Sequence, residues 1–569
     1  MRNSEVARLL YDISELLEIK GENTFKIRAY SKAARAIEGS TGDIEKIAEE
    51  KRLKQIPGVG EKIAEKIEEY LATGKLGFYE ELKKQVPGEL HELLKIPGIG
   101  PKTLQFLYSE LEIKTVEELE RAAREHRLRR LTRFGETKEE NILRAIERYK
   151  QRSTRIPLGT ALPLAKEIAE ALKKSGFVEN IEPAGSLRRR KETVGDIDIL
   201  ATSKDPEAAI EAFVNLPMVK DVLGKGSTKA TIVTREAIQV DLRIVERKSF
   251  GTSLQYFTGS KEHNIKLRDI ARQKGLKLSE YDLEEVSTGR RIYCESDDEV
   301  YETLGLLPIP PEIREDAGEI EASLEGKLPR LVEPGDIKGD FHVHTDWSEG
   351  TNTIPEMVEA ARKLGYEYIA VTDHSRAIGI TNGLDEERMV AQIDEIRKLN
   401  DNLPDFHIFT GTEVDIKSDS SLDFPDSILR QIDVVVAALH TGQRQTRREI
   451  TGRLITAMEN ENVDIIAHPT GRIIGEREAY DVDIDALLDA AASTGTALEI
   501  NAYPGRLDLS DVNARKAKSK GVVLSIGTDA HNMGHLGFME FGVNVARMGW
   551  LEKGDVMNTR KAGDVKFKD

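Results

Sequence analysis

At 569 residues the chain is too long for one hydrophobic core and divides into about three to five units; with 39% hydrophobic and 32% charged residues and no apolar run near the ~18 that span a bilayer, it is expected to be cytoplasmic and free of membrane. Its one cysteine, Cys294, excludes an internal disulfide and a Cys-rich zinc module, so a metal would have to be held by histidine and carboxylate. The net charge of −17 is unevenly placed: residues 1–150 carry 29 Lys+Arg against 28 Asp+Glu, whereas residues 338–569 carry 26 against 39, an acidic surplus suited to a part that collects cations.

From Asn3 to Lys150 short amphipathic stretches punctuated by Gly and Pro predict helices throughout. One unit occurs twice, LKQIPGVGEKIAEKIEEYL at residues 53–71 and LLKIPGIGPKTLQFLYSEL at residues 93–111. Each reads as a helix end, a Pro-Gly-x-Gly turn and a second helix, and the pair resembles two helix-hairpin-helix modules. The resemblance implies that the turns, with Gly58, Gly60, Gly98 and Gly100, offer backbone N–H groups to DNA phosphate without regard to sequence, and that a monovalent cation sits on carbonyl oxygens between the helices.

From Ile156 the texture becomes mixed α/β: a helix over 162–175 and strands at 181–184, 195–201, 230–234 and 237–245. Strand alternation puts Asp196 and Asp198 on one face with Ile197 and Ile199 in the core. On the later strand Val240, Leu242 and Ile244 form the core set, so Asp241 faces the other way and three carboxylates can converge. Such a cluster suits two Mg2+ or Mn2+ ions, and the upstream Gly185-Ser186 turn with Arg188, Arg189 and Arg190 offers N–H groups, a hydroxyl and positive charge to a triphosphate. An isolated Asp-x-Asp is more often a solvated strand end; the Gly-Ser pair and the third aspartate reverse those odds.

Together these residues resemble the nucleotidyltransferase palm. Within that group, Tyr256-Phe257-Thr258-Gly259-Ser260, running on through His263, Asn264 and Arg268, resembles the thumb of family X, beta-like DNA polymerases. The resemblance implies that Tyr256 and Phe257 line the sugar and base pocket, with Gly259 beside them, that Asn264 faces the incoming base and that Arg268 contacts the template-side minor groove. Ser186, Arg189 and Arg155 match triphosphate contacts. Lys261 departs from an acidic residue found in several eukaryotic members.

The same resemblance reaches back to Arg28-Ala29-Tyr30-Ser31-Lys32-Ala33-Ala34 and to residues 57–75, which are similar to the small lyase domain of that family. Lys66 falls at its Schiff-base position, and Tyr30, Lys32 and Lys62 at DNA- and 5′-phosphate-binding positions. A lysine on a Lys-rich helix is usually only a solvated charge, and amine attack on an abasic sugar needs a depressed pKa.

The Pro/Glu-rich segment 308–336 has the composition of a linker. Beyond Asp340, short apolar strands at 369–372, 434–439, 464–467, 497–501 and 522–527 alternate with helices, the pattern of a βα barrel. Of eleven histidines eight lie after residue 340, and His342, His344, His374, His440, His468 and His531 stand at or near strand ends with Glu413 and Asp529. Strand C-termini of a barrel converge, so these can meet in one polynuclear site, whose imidazole and carboxylate donors suit Mn2+, Zn2+ or Fe2+.

This set resembles the polymerase and histidinol phosphatase (PHP) family of phosphoesterases. The resemblance implies three metals: one on His342, His344, Glu413 and Asp529, a second bridged by Glu413 to His440 and His468, and a third on His374 and His531. The carboxylate of the third is usually an Asp in a Ser-Asp-Gly turn; here Ser348-Glu349-Gly350 offers Glu349 instead. Arg472 matches a phosphate contact, and His407 and His535 match no ligand position.

The expected fold is multidomain, α plus α/β: a helical lyase-like domain (1–88), helical fingers (89–152), a nucleotidyltransferase palm (153–247), a thumb (248–315), a linker (316–337) and a distorted (β/α)-barrel PHP domain (338–569). The expected function is gap filling in DNA repair from deoxynucleoside triphosphates, acting as a monomer on gapped or nicked DNA. Beside it stands 3′-end processing as 3′–5′ exonuclease, 3′-phosphatase or abasic-site endonuclease, because a blocked 3′ terminus must become a hydroxyl before it is extended. Two alternatives stay open: a PHP domain that is a silent scaffold, and an N-terminal half that only binds gaps.

Overall fold

The computed structural model describes residues 3–568 except 21, 39–43, 57, 86–89, 91, 92, 94, 95, 97, 98, 132, 133, 154 and 378–380. The first part is helical, from Asn3–Ile19 to Glu136–Ser153, and its apolar stripes close on one core that includes Leu10, Ile13, Ile63, Leu104, Leu119 and Ile146. The second helix of the repeated unit starts alike in both copies. Gly60 caps Glu61–Thr73 at φ −86°, ψ 174°, Gly100 caps Pro101–Leu111 at φ −84°, ψ 169°, and their carbonyls accept from Ala64 and Leu104 at 2.9 Å each. Gly98 lies outside the described residues.

A five-stranded sheet follows, in the spatial order Ile181–Pro183, Ile197–Thr202, Gln239–Val245, Lys229–Thr234, Val219–Lys225. The two central strands are parallel and set Asp198 beside Asp241. Leu158–Ser175 and Pro206–Val214 cover the sheet through Leu162, Ile168, Ile210 and Phe213. The first helix starts earlier than its apolar pattern predicts, because Pro157 supplies its N-terminal boundary and Leu158 and Ala161 are buried. Val219–Lys225 carries no strand signal in the sequence: it is a mostly exposed edge strand, so nothing forces its residues to alternate.

Phe250–Thr258, Lys261–Gln273, Asp297–Thr303 and a small three-stranded sheet pack around Leu267, Val300, Tyr301 and Ile313. The segment read as a linker from its composition is packed chain instead. It contains the helix Glu319–Leu324 and buries Ile309, Arg314, Glu319, Ile320 and Val332. Two of its buried charges are paired: Arg314 with Asp297 at 2.8 Å, and Glu319 with His263 at 2.6 Å.

In the C-terminal part seven parallel strands stand in chain order: Gly339–Val343, Tyr368–Val371, His407–Asp415, Val434–Ala438, Ile465–Ile466, Ala497–Asn501 and Leu524–Gly527. The His344 amide donates to the Ala530 carbonyl at 2.8 Å, which joins the end of the first strand to the chain just after the last and nearly closes the barrel. Two strands, Gly339–Val343 and His407–Asp415, escape the sequence pattern because polar residues interrupt their apolar runs. The five-stranded sheet docks on this barrel: their apolar interiors form one continuous cluster, and Lys166 pairs with Glu540 at 2.8 Å.

Candidate active sites

The three aspartates meet beside the two inner parallel strands of the five-stranded sheet, with one carboxylate oxygen of each within 4.8 Å of the others. Ile197 and Ile199 are buried while Asp198 is half-buried, as the alternation requires. Burial, then Asp196 and Asp241, push the Asp198 carboxyl up to about 6; burial, then Asp241, raise Asp196. Mutual repulsion of this kind is relieved by a bound cation, so the donors fit divalent ions. Gly185, at φ +59°, lies so close that a Cβ there would come 2.6 Å from Asp198 Oδ2, and a side chain at this position would strike the carboxylate. Ser186 follows it in the short helix Gly185–Arg188.

Around this cluster Phe257, Lys229 and Arg243 line a pocket with Asp198 and Asp241. Tyr256 and Phe257 meet edge to face at 5.2 Å, and the Arg243 guanidinium lies 4.6 Å over the Phe257 ring. Asn264 supports this pair: its Nδ2 donates to the Tyr256 carbonyl at 2.7 Å, and its Oδ1 accepts from Gln255 at 2.8 Å. Gly259 ends the helix at φ +68°, and Arg268 Nε donates to the Asn264 carbonyl at 3.2 Å. Arg189 turns toward the thumb, to Glu315 at 2.8 Å and to the Thr258 carbonyl. Arg155 holds Thr193 at 2.8 Å and lies close enough to Asp196 to lower its pKa against the burial.

In the N-terminal part Lys66 Nζ stands 4.7 Å over the Phe78 ring, which also stacks on Tyr30 at 6.2 Å. The second cation on that ring is Lys26, at 5.6 Å, a residue absent from the sequence reading. Lys32 lies instead against Gly58, where a Cβ would come 2.9 Å from its Cγ, and Lys62 is exposed with its carbonyl accepting from Lys66 at 3.3 Å. Burial pushes the Tyr30 phenol up to about 12.

At the barrel mouth Glu413 is the hub. Its Oε1 lies 3.2 Å from His440 Nε2 and 3.1 Å from His468 Nε2; its Oε2 lies 2.9 Å from His374 Nδ1 and 3.4 Å from His342 Nε2. Asp529 Oδ1 stands 3.2 Å from His344 Nε2, and Glu349 Oε1 spans His374 at 3.1 Å and His531 at 2.9 Å. The longer arm of glutamate therefore reaches both imidazoles. The groups that can share an ion are His342/His344/Asp529, His374/Glu413/His440 and His344/His374/His531, so the donors interlock rather than fall into separate sets.

The side-chain chemistry fits metal ions. His342 Nε2 and both ring nitrogens of His344 are buried without a hydrogen-bond partner among the described residues, a costly state that a cation removes. Burial, reinforced by His374, pulls the His344 imidazole down to about 3; against its own burial, Glu413 raises His374 to about 10. Glu413 itself is held well below the usual carboxylate range, because its imidazole neighbours, His374 first, outweigh the burial.

Outer partners orient these groups. Glu499 accepts from His342 Nδ1 and from the His468 amide, each at 2.6 Å. Asp415 lies 3.3 Å from His440 Nδ1, and Asp373 anchors the turn before Glu349 by accepting from the Thr345 amide at 2.8 Å, while Gln392 from a neighbouring helix donates to it at 2.6 Å. None of the three was singled out in the sequence, since each is a carboxylate beside a strand and only the fold shows what it faces. His407 begins its strand away from the mouth, and His535 stacks on Phe538 at 4.6 Å. The Arg472 guanidinium engages the Arg506 and Leu507 carbonyls and pairs with Glu192 at 2.8 Å.

Comparison with known proteins finds related domains along the chain. Family signatures described as a helix-hairpin-helix domain, a SAM-like helix-hairpin-helix tandem, a DNA polymerase beta thumb and a PHP domain match residues 1–76, 90–148, 253–315 and 340–503. Over 567 residues, 99% of each chain, this one is 42% identical to a Bacillus subtilis protein named DNA polymerase/3′-5′ exonuclease PolX. The C-terminal part is 31% identical over 231 residues to a probable phosphatase of Thermoanaerobacter, covering 39% of this chain and 89% of that one. With two helix-hairpin-helix regions, a beta-type thumb, a metal-donor barrel and full-length likeness to such an enzyme, the chain belongs to the family X DNA polymerases that carry a C-terminal PHP domain.

Proposed function

We propose that this protein extends DNA 3′ ends from deoxynucleoside triphosphates and, at a second centre, hydrolyses 3′ termini, so that it cleans and fills short gaps in DNA repair. What carries the reading is the presence, on one chain, of two separate donor clusters fit for cations, Asp196/Asp198/Asp241 and the histidines around Glu413.

In the palm the three aspartates would hold two Mg2+ or Mn2+ ions, which would activate the primer hydroxyl and offset triphosphate charge. The chain itself positions the substrate. Gly185 and Ser186 present the start of a helix to phosphate, Arg155 stays beside Thr193, and Arg189 exchanges Glu315 for the nucleotide. Tyr256 and Phe257, braced by Asn264 and Gly259, flank the sugar and base, and Arg268 lies on the template side.

At the barrel, His342, His344, Glu413 and Asp529 would hold one ion, Glu413 with His440 and His468 a second, and His374, His531 and Glu349 a third, with neighbouring donors close enough to be shared. Mn2+, Zn2+ or Fe2+ held there would supply a water nucleophile at neutral pH and polarise the phosphate ester. Candidate substrates are the 3′-terminal nucleotide, a 3′-phosphate and an abasic site. The hairpin turns at Gly58, Gly60 and Gly100 grip gapped DNA, with a monovalent cation between their helices, and Lys66 is the candidate nucleophile for 5′-deoxyribose phosphate removal.

A labelled primer on a one-nucleotide gap, with Mg2+ or Mn2+, with and without deoxynucleotides, tests this reading on 3′-hydroxyl and 3′-phosphate ends. Extension together with trimming or dephosphorylation supports both centres. Extension alone makes the barrel a silent scaffold, and neither activity overturns the reading.

A further inference from the structure

Arg472 holds a strap between the sheet that carries the three aspartates and the barrel. Its Nε donates to the Arg506 carbonyl at 3.0 Å and its Nη2 to the Leu507 carbonyl, and the same Nη2 pairs at 2.8 Å with Oε2 of Glu192. Glu192 belongs to the palm, between the Gly-Ser loop and Asp196, whereas residues 503–507 belong to the barrel. That barrel loop is closed on itself, with the Arg506 amide donating to the Tyr503 carbonyl at 2.8 Å. The palm touches it a second time: a Cβ on Gly159 would come within 2.4 Å of Pro504 Cβ, so only glycine lets the palm helix lie this close.

The side chain at the end of this strap faces the metal donors. Arg506 Nε lies 3.6 Å from Asp529 Oδ2, and Arg506 Nη1 is buried with no hydrogen-bond partner among the described residues. A guanidinium with an unused donor, set against a ligand carboxylate, is matched to an oxygen of a phosphate ester bound at the cluster.

We infer that Glu192 of the palm is a positioning residue for hydrolysis: through Arg472 it fixes the loop that aims Arg506 at the substrate phosphate. The inference rests on the hydrolytic reading of the barrel given above. The Glu192–Arg472 pair is partly exposed, so its loss disturbs overall stability little. A small displacement of a phosphate contact, by contrast, costs rate steeply.

The test uses the full-length protein loaded with Mn2+. Glu192→Gln is expected to lower 3′-terminal hydrolysis about tenfold and to weaken inhibition by inorganic phosphate by a similar factor, with metal content and primer extension unchanged. Glu192→Asp recovers part of both. In an Arg506→Met background, Glu192→Gln costs nothing further, because it acts through that arginine. Wild-type hydrolysis and phosphate inhibition in Glu192→Gln, or a full additional loss in the Arg506→Met background, overturns the inference. Extension falling in step with hydrolysis also overturns it, by showing general damage to the palm. Absence of hydrolysis in the wild type is a different result, since it removes the hydrolytic reading itself and the inference with it.

Discussion

Glu499 Oε1 lies 2.6 Å from Nδ1 of His342, and its Oε2 accepts from the His468 amide at the same distance, so one buried carboxylate holds two candidate ligands. This contact places the Nδ1 proton toward Glu499 and leaves His342 Nε2 to face Glu413 and Asp529. Gly527 makes room for it, since a Cβ there would come 2.2 Å from Glu499 Oε1. Glu499→Ala is therefore expected to weaken divalent-ion binding about 10–100-fold. Titration of the metal-free protein with Mn2+ checks this, and Glu499→Gln, which keeps an acceptor, should fall between the two.

The two donor clusters occupy different sheets, so their losses should separate. Asp198→Ala should abolish primer extension and leave hydrolysis of the 3′ end within about twofold, whereas His344→Ala should do the reverse. Parallel gel assays on one gapped substrate decide it; loss of both activities in either variant contradicts two independent centres.

Asp297 ties the palm to the thumb. Its Oδ2 receives Arg188 at 2.7 Å and the fully buried Arg314 at 2.8 Å. Burial alone would raise its carboxyl, but Arg314 and Arg188 outweigh it and hold the group at about 2. A pKa lowered on folding adds stability that is present above the unfolded value near ~3.9 and is lost as pH falls toward the folded value. Asp297→Asn should cost about 3–5 kcal/mol at neutral pH, because it leaves two guanidinium groups short of a partner. In urea titrations the gap between the two proteins should stay constant down to about pH 5 and narrow below about pH 4; a gap that does not change with pH would show that the charge on Asp297 contributes little.

Lys66 and Lys26 both lie over the Phe78 ring, with Lys66 the candidate nucleophile for a sugar aldehyde. Borohydride should trap the wild type on 5′-deoxyribose phosphate DNA. Lys66→Ala should reduce trapping at least about tenfold, and Lys26→Ala should reduce it less. Undiminished trapping in Lys66→Ala would place the nucleophile elsewhere.

Local pattern alone determined the helical N-terminal part, the paired hairpin turns, the Asp-x-Asp strand and the histidines at strand ends. Each is a property of neighbours in sequence: glycine where a turn needs it, alternation where a strand has one buried face, ligands where apolar strands stop. The edge strand Val219–Lys225 and the packed segment after residue 308 were not legible, because an exposed edge needs no alternation and buried charges such as Arg314 and Glu319 look like solvated ones until their partners appear. Tertiary structure alone decided that Glu499 backs His342, that Lys26 rather than Lys32 joins Lys66 on Phe78, and that Arg472 reaches Glu192. These are contacts between side chains remote in sequence, and direction in space is set by how sheets and helices pack, which no spacing of residues along the chain contains.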